Sequence, residues 1–334
     1  MFETHWGLPV IGYLFLAGVG AGAYTVSASV LLRGGGGGGF SGHHYNIARY
    51  GALLAPLPMM IGTGMIILEL GTFQAAIAHG DFGLLFRWIN LFLTINLSPM
   101  SIGSWVLGLC IMASLVYAYT FVAPGSASSD NMRKLRQGLA WVGVPLGISV
   151  ALYTGIMLGA MPARPFWNTP VLALLFLISS LSTGVAGILL LRAIFGKHRT
   201  SQTDEAENDY FKSSSNANYL LASSDMMLIG FEIIAIFLFI MFAHLTIGNP
   251  AQAVSVILPG GELASLFWVG VVGIGLLLPV LIEIRYVVPT LLYHQPYAIP
   301  RSTEMIVCTV VLIGGFLLRY VVVIAGQITG PLGI

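Results

Sequence analysis

The chain carries about eight apolar stretches of roughly 20 residues each, the length a helix needs to cross a hydrocarbon core about 30 Å thick. They run near Leu8–Leu32, Ile47–Phe73, Pro99–Val122, Gly138–Met161, Thr169–Phe195, Leu220–Leu245, Leu263–Val288 and Met305–Gly326. Lipid offers backbone N–H and C=O groups no partner, so an apolar span of this kind must satisfy them within itself, as a helix. The fold class is therefore all-α: a polytopic integral membrane protein of about eight transmembrane helices. The stretch Trp88–Val122 is too long for one span. Two readings fit Trp88–Leu97: an interfacial segment leading into the third helix at Pro99, or a ninth helix.

Composition excludes a water-soluble core. Apolar residues make up 57% of the chain and charged ones 8%, against about 25% charged in a soluble domain. A net charge of +1, with no basic stripe, gives no case for nucleic acid. The first span lacks a basic stretch before it and a small-residue cleavage site after it, so it reads as a retained helix. Cys110 and Cys308 both fall within spans, which offers neither a disulfide framework nor the four thiolates of an iron–sulfur cluster.

Lys and Arg separate the two membrane faces. Arg33, Arg49, Arg133, Lys134, Arg136, Arg192, Lys197, Arg199, Lys212, Arg285 and Arg301 gather on one side; Arg87 and Arg164 stand on the other, with Arg319 inside the last span. Cytoplasmic loops are the ones enriched in such residues, so both termini are expected outside a prokaryotic cytoplasmic membrane. Six glycines, Gly34–Gly39, form a flexible tract in the first loop. The polar loop 196–219 reads as a cytoplasmic linker between residues 1–195 and 220–334.

Ionisable groups at membrane depth cost roughly 2.5–3.5 kcal/mol each on insertion scales, so they face a bundle interior or a wet cavity. Glu69, Asp225, Glu232, Glu283 and Arg319 lie within spans and His244 near a helix end. Asp225 and Glu232 are two helical turns apart on one face. Asp225, Glu283, Glu232, Arg319 and His244 thus form a candidate proton path graded in depth. The structural alternative is that Arg319 neutralises Glu69 or Glu232 and pins two helices. Only His244 approaches a span, while His5, His43, His44, His79, His198 and His294 lie in tails or loops; paired axial ligands for haem are not to be expected.

Four segments carry a family resemblance: LPVIGYLFLAGVGAGA (Leu8–Ala23), SPMSIGSW (Ser98–Trp105), YTGIMLGAMPARPFWN (Tyr153–Asn168) and FLLRYVVVIAGQ (Phe316–Gln327). Together, and in this order, they resemble the NrfD/polysulfide reductase membrane-subunit family along essentially the whole chain. The resemblance implies two four-helix bundles, no redox metal in this chain, and menaquinone or ubiquinone bound among helices 1–4 (about 8–161). It implies as partners a four-cluster, ferredoxin-like iron–sulfur subunit and a molybdopterin catalytic subunit or multihaem cytochrome. Carried over by position, Tyr153 stands beside the quinone head group; a phenol suits that place, being a donor on an apolar ring. Arg164, Phe166 and Trp167, with Arg87 on the same face, would meet the partner. Some members place His and Asn on the first helix, where this chain has Tyr13 and neither, so Tyr13 or Glu69 is expected to substitute.

The function this reading supports is a quinone-reactive membrane subunit of a respiratory oxidoreductase, with proton translocation through the buried carboxylates. A secondary transporter or channel, which shares buried carboxylates and prolines such as Pro56, Pro58 and Pro279 within spans, and a passive membrane anchor are the alternatives.

Overall fold

A computed structural model of the chain describes residues 6–34, 43–69, 80, 83, 86, 89–90, 98–123, 129–196, 205–293, 297 and 299–330. Among the described residues all regular structure is helical, and eight helices are long and apolar enough to cross a membrane. Helix α1 covers Leu8–Arg33, α2 His43–Leu54, α3 Pro56–Glu69, α4 Pro99–Val122, α5 Asp130–Gly159, α6 Val171–Phe195 and α7 Glu205–Leu245. A short α8, Asn249–Val254, precedes a π-helical stretch, Leu266–Leu277, that continues into α9, Leu278–Tyr293, and α10 spans Arg301–Ile328.

Two spans are not simple rods. The second is made of α2 and α3, broken at Ala55 because Pro56 has no N–H to continue the ladder. The sixth span, α7, begins at Glu205, inside the segment expected to be a linker. Ser98 caps α4, its hydroxyl accepting from the Ser101 amide, and Pro99 follows at the first helical position. Most of the candidate ninth helix and most of the glycine tract lie outside the described residues.

Helix α1 is the centre of the structure. Its most apolar window is 72% buried, against 33% for α4, so α4 presents lipid with residues such as Leu109 and Met112 while α1 is packed all round. Lipid tails are as apolar as leucine, so helices associate here through close packing rather than hydrophobic exclusion. Small residues allow it. A side chain on Gly22 would strike the Ser180 carbonyl of α6, and one on Gly184 would strike the α1 backbone at Gly22 and Ala23. At the other edge Gly275 and Gly314 face each other, closing the π-helical stretch onto α10. Around α1 stand α2, α3, α5 and α6; α6 in turn packs against α7 and α10.

Candidate functional site

Three of the four motif segments converge at one point. Tyr13 on α1 and Tyr153 on α5 each lie about 8 Å inside the helix ends nearest Trp167, and their phenol groups are within interaction range of each other. The Tyr153 ring lies over Gly103 of α4, where any side chain would occupy the space of the ring. Tyr13 is 3% exposed and Tyr153 half-buried. The remaining neighbour of the Tyr153 hydroxyl is the thioether of Met157, 3.5 Å away, a weak acceptor. The pair thus offers phenolic protons in a place poor in competing acceptors. Glu69 ends α3, and its side chain lies outside the described residues.

Above this pair, Met157 and Met161 continue the Tyr153 face of α5 outward by ~12 Å to a cavity of about 240 Å³ lined by Trp6, Met161, Arg164, Trp167 and Gln327. The turn after α5 is tied down on all sides. Trp167 stacks on Trp6 with ring centroids 5.3 Å apart and donates through Nε1 to the Val322 carbonyl at 2.7 Å. Arg164 donates to the Gln327 carbonyl at 2.9 Å, one of the carbonyls left open at the end of α10. The Gln327 amide grips the Trp6 backbone, accepting from its N–H at 3.0 Å and donating to its C=O at 3.1 Å. Phe166 sets its ring edge-on to Phe239 of α7. With Phe166 and Trp167 only 3% and 2% exposed, both spend their surface inside the chain, and the outward face of the turn is left to Pro162, Ala163, Asn168 and part of Arg164. Arg87 lies outside the described residues.

The buried ionisable groups form a second assembly, organised by α6. Arg319 is fully buried and donates to Ser179 Oγ at 2.9 Å, Ser180 Oγ at 3.0 Å and the Gly315 carbonyl at 2.8 Å. Its guanidinium lies against the rings of Phe15 and Phe176, and Gly18 of α1 leaves room for it. Ser179, which accepts from Arg319, lies within electrostatic reach of the Glu232 carboxyl, as does Arg319. One turn along, Ser182 donates to Asp225 at 2.7 Å. Glu283 of α9 is within electrostatic reach of Asp225. Asp225, Glu232 and Glu283 are all at most 3% exposed. His244 stands apart, exposed at the far end of α7. Among the described residues, no three His, Cys, Asp or Glu side chains lie together as metal ligands would.

Sequence reasoning missed Ser179, Ser180 and Ser182, although the hydroxyl residues clustered between Ser179 and Thr183 within one apolar span are a visible signal. It also missed Glu304, 7% exposed and beside Arg192, because the apolar run that marks the span begins one residue later, at Met305. Arg136 and Arg192, which the sequence places among the loop cations, are buried in helices.

The family description "Polysulphide reductase, NrfD" matches residues 2–331. One component of the polysulfide reductase of Wolinella succinogenes is 30% identical over 97% of this chain and 94% of its own length. Protein NrfD of Escherichia coli is 25% identical over 97% and 95%, and one component of the selenate reductase of Mesobacillus selenatarsenatis is 22% identical over 84% and 66%. Matched over residues 2–331, this multi-helix membrane protein belongs to the polysulphide reductase NrfD family.

Proposed function

We propose that the chain is the quinone-reactive membrane subunit of a multi-subunit respiratory oxidoreductase. The observation that carries this reading is the Tyr13–Tyr153 hydroxyl pair, set in an apolar seam over Gly103 and below a cavity at the same membrane face. A menaquinone or ubiquinone, when bound, supplies a carrier of two electrons and two protons. Tyr153 would donate to a carbonyl oxygen of the head group, its ring seated over Gly103 and its hydroxyl beside Met157, while Tyr13 would orient the Tyr153 hydroxyl. The buried donors act there without competition from water, which strengthens them.

Two of the relatives are each one component of a larger reductase, which supports a role beside further subunits. We place among these a four-cluster ferredoxin-like protein and a molybdopterin enzyme or multihaem cytochrome, docked at the Arg164 face outside the cytoplasmic membrane. The basic end then faces the cytoplasm, both termini face outward, and the chain works as two four-helix bundles. The Asp225, Glu232 and Glu283 carboxyls, with Ser182 donating to Asp225 and Glu283 within electrostatic reach of it, carry protons between the cytoplasmic half and the quinone site. Arg319 does not carry a proton, since a guanidinium stays charged; it holds the field at Glu232.

The test is purification from native membranes in mild detergent, with identification of co-purifying polypeptides and extraction of bound quinone. An iron–sulfur polypeptide and near-stoichiometric quinone are the expected result. A folded chain recovered alone and free of quinone would contradict the reading and favour transport.

A further inference from the structure

The carboxylate run does not stop at Glu283. Glu304 lies one turn inside the start of α10, at the basic end of the molecule, 7% exposed. Arg192, in the last turn of α6, is its electrostatic partner. Arg301 donates to the Ile194 carbonyl at 3.1 Å, fastening the start of α10 to the end of α6 around this pair. Tyr297, buried in the segment before α10, is within electrostatic reach of both Glu304 and Glu283, and Cys308, one turn below Glu304, faces Asp225, Glu283 and Glu304 together. Glu304 therefore stands next in line, between the surface and Glu283.

A purely structural staple would use both oxygens of each carboxylate. Here Glu304 Oε1 and Glu283 Oε2 are buried and have no hydrogen-bond partner among the described residues. Orphaned buried acceptors are uncommon and costly. Two of them at successive depths, with one tyrosine within reach of both, form a set of open acceptor sites for a moving proton.

We propose that Glu304, held beside Arg192 at the junction of α6 and α10, is the port through which protons from the basic face enter the buried run Glu283, Asp225 and Glu232. The Glu304 carboxylate accepts a proton from bulk water and passes it to Glu283; the bond broken is the O–H of the donor at each transfer and no electron moves. Arg192 favours the ionised form of the Glu304 carboxyl between transfers. This port rests on the proton-translocating part of the proposed function.

The experiment uses the whole complex, purified from native membranes and reconstituted in liposomes, with a quinol analogue and a soluble acceptor dye as the electron couple. Electrons transferred and protons moved are recorded together. Glu304→Gln should lower protons moved per electron by at least about fivefold while electron transfer stays within about twofold, and Glu304→Asp should restore it. Glu232→Gln serves as the comparison inside the run. If Glu304→Gln moves protons like the unaltered complex while Glu232→Gln does not, the port is overturned and the run stands. Loss of electron transfer as well as proton movement in both Glu304 variants makes Glu304 a packing residue and overturns the port. If the unaltered complex passes electrons and moves no protons, both the port and proton translocation fail, and the quinone site remains.

Discussion

Replacing Tyr153 by Phe should slow quinol-dependent electron transfer roughly a hundredfold, the usual loss when one preorganised donor is removed from a buried site. The fold should survive, because the ring that fills the space over Gly103 is kept and only the hydroxyl is lost. Tyr13→Phe should cost less, about tenfold, since Tyr13 is assigned to orient Tyr153 rather than to meet the head group. Steady-state kinetics of the purified complex separates the roles. A fall in kcat with little change in KM means that the hydroxyl stabilises charge developing on the quinone oxygen, whereas a rise in KM alone means that it only binds the head group. Unaltered kcat and KM in both variants would remove the tyrosine pair from the site.

The second large effect is on stability. Arg319→Leu leaves Glu232 buried without the cation within its electrostatic reach and strips Ser179 and Ser180 of a donor. Removing one partner of a buried charged assembly typically costs about 3–5 kcal/mol, whereas replacing both partners by apolar residues is often neutral. The double variant Arg319→Leu with Glu232→Leu should therefore recover most of the loss in a denaturant titration of the detergent-solubilised protein, although proton movement stays lost. A double variant no more stable than the single one would mean that Arg319 contributes by packing against Phe15 and Phe176 rather than by answering Glu232. Lysine at 319 should rescue only partly, because a single ammonium lacks the planar fork that reaches both serines.

How far the sequence discloses this molecule depends on which force sets each feature. The number of spans is legible because bilayer thickness converts directly into apolar run length, and the start of α4 because Ser98 and Pro99 are local signals. The start of α7 is not, since its first turns, from Glu205, are polar and hydropathy registers only the part that meets lipid. Tyr13 and Tyr153 can each be singled out in the chain. Their contact cannot, because it depends on how closely α5 approaches α1, where Gly147 leaves room for Ala21 and Thr25, and on the space that Gly103 of α4 leaves for the Tyr153 ring. The aromatic turn shows the same limit. Phe166 and Trp167 read as part of an outer turn that meets a partner, yet the stack on Trp6 and the bond to Val322 turn Trp167 inward, and an aromatic near a membrane surface has the same sequence signature either way. The α6 serines are easily passed over because a hydroxyl is cheap within a helix, bonding back to a carbonyl of the preceding turn as Thr183 does to Ser179.

The central claim is the place of the quinone head group, and photolabelling of the native complex with an azido-quinone, followed by peptide mapping, tests it most directly. The account predicts label on α1 around Tyr13, on α4 around Gly103 and on α5 around Tyr153, suppressed by excess quinone. Label confined to the apolar groove of about 260 Å³ between α7 and the π-helical stretch, among Ile233, Phe237, Ile240 and Trp268, or no competable label at all, would contradict it.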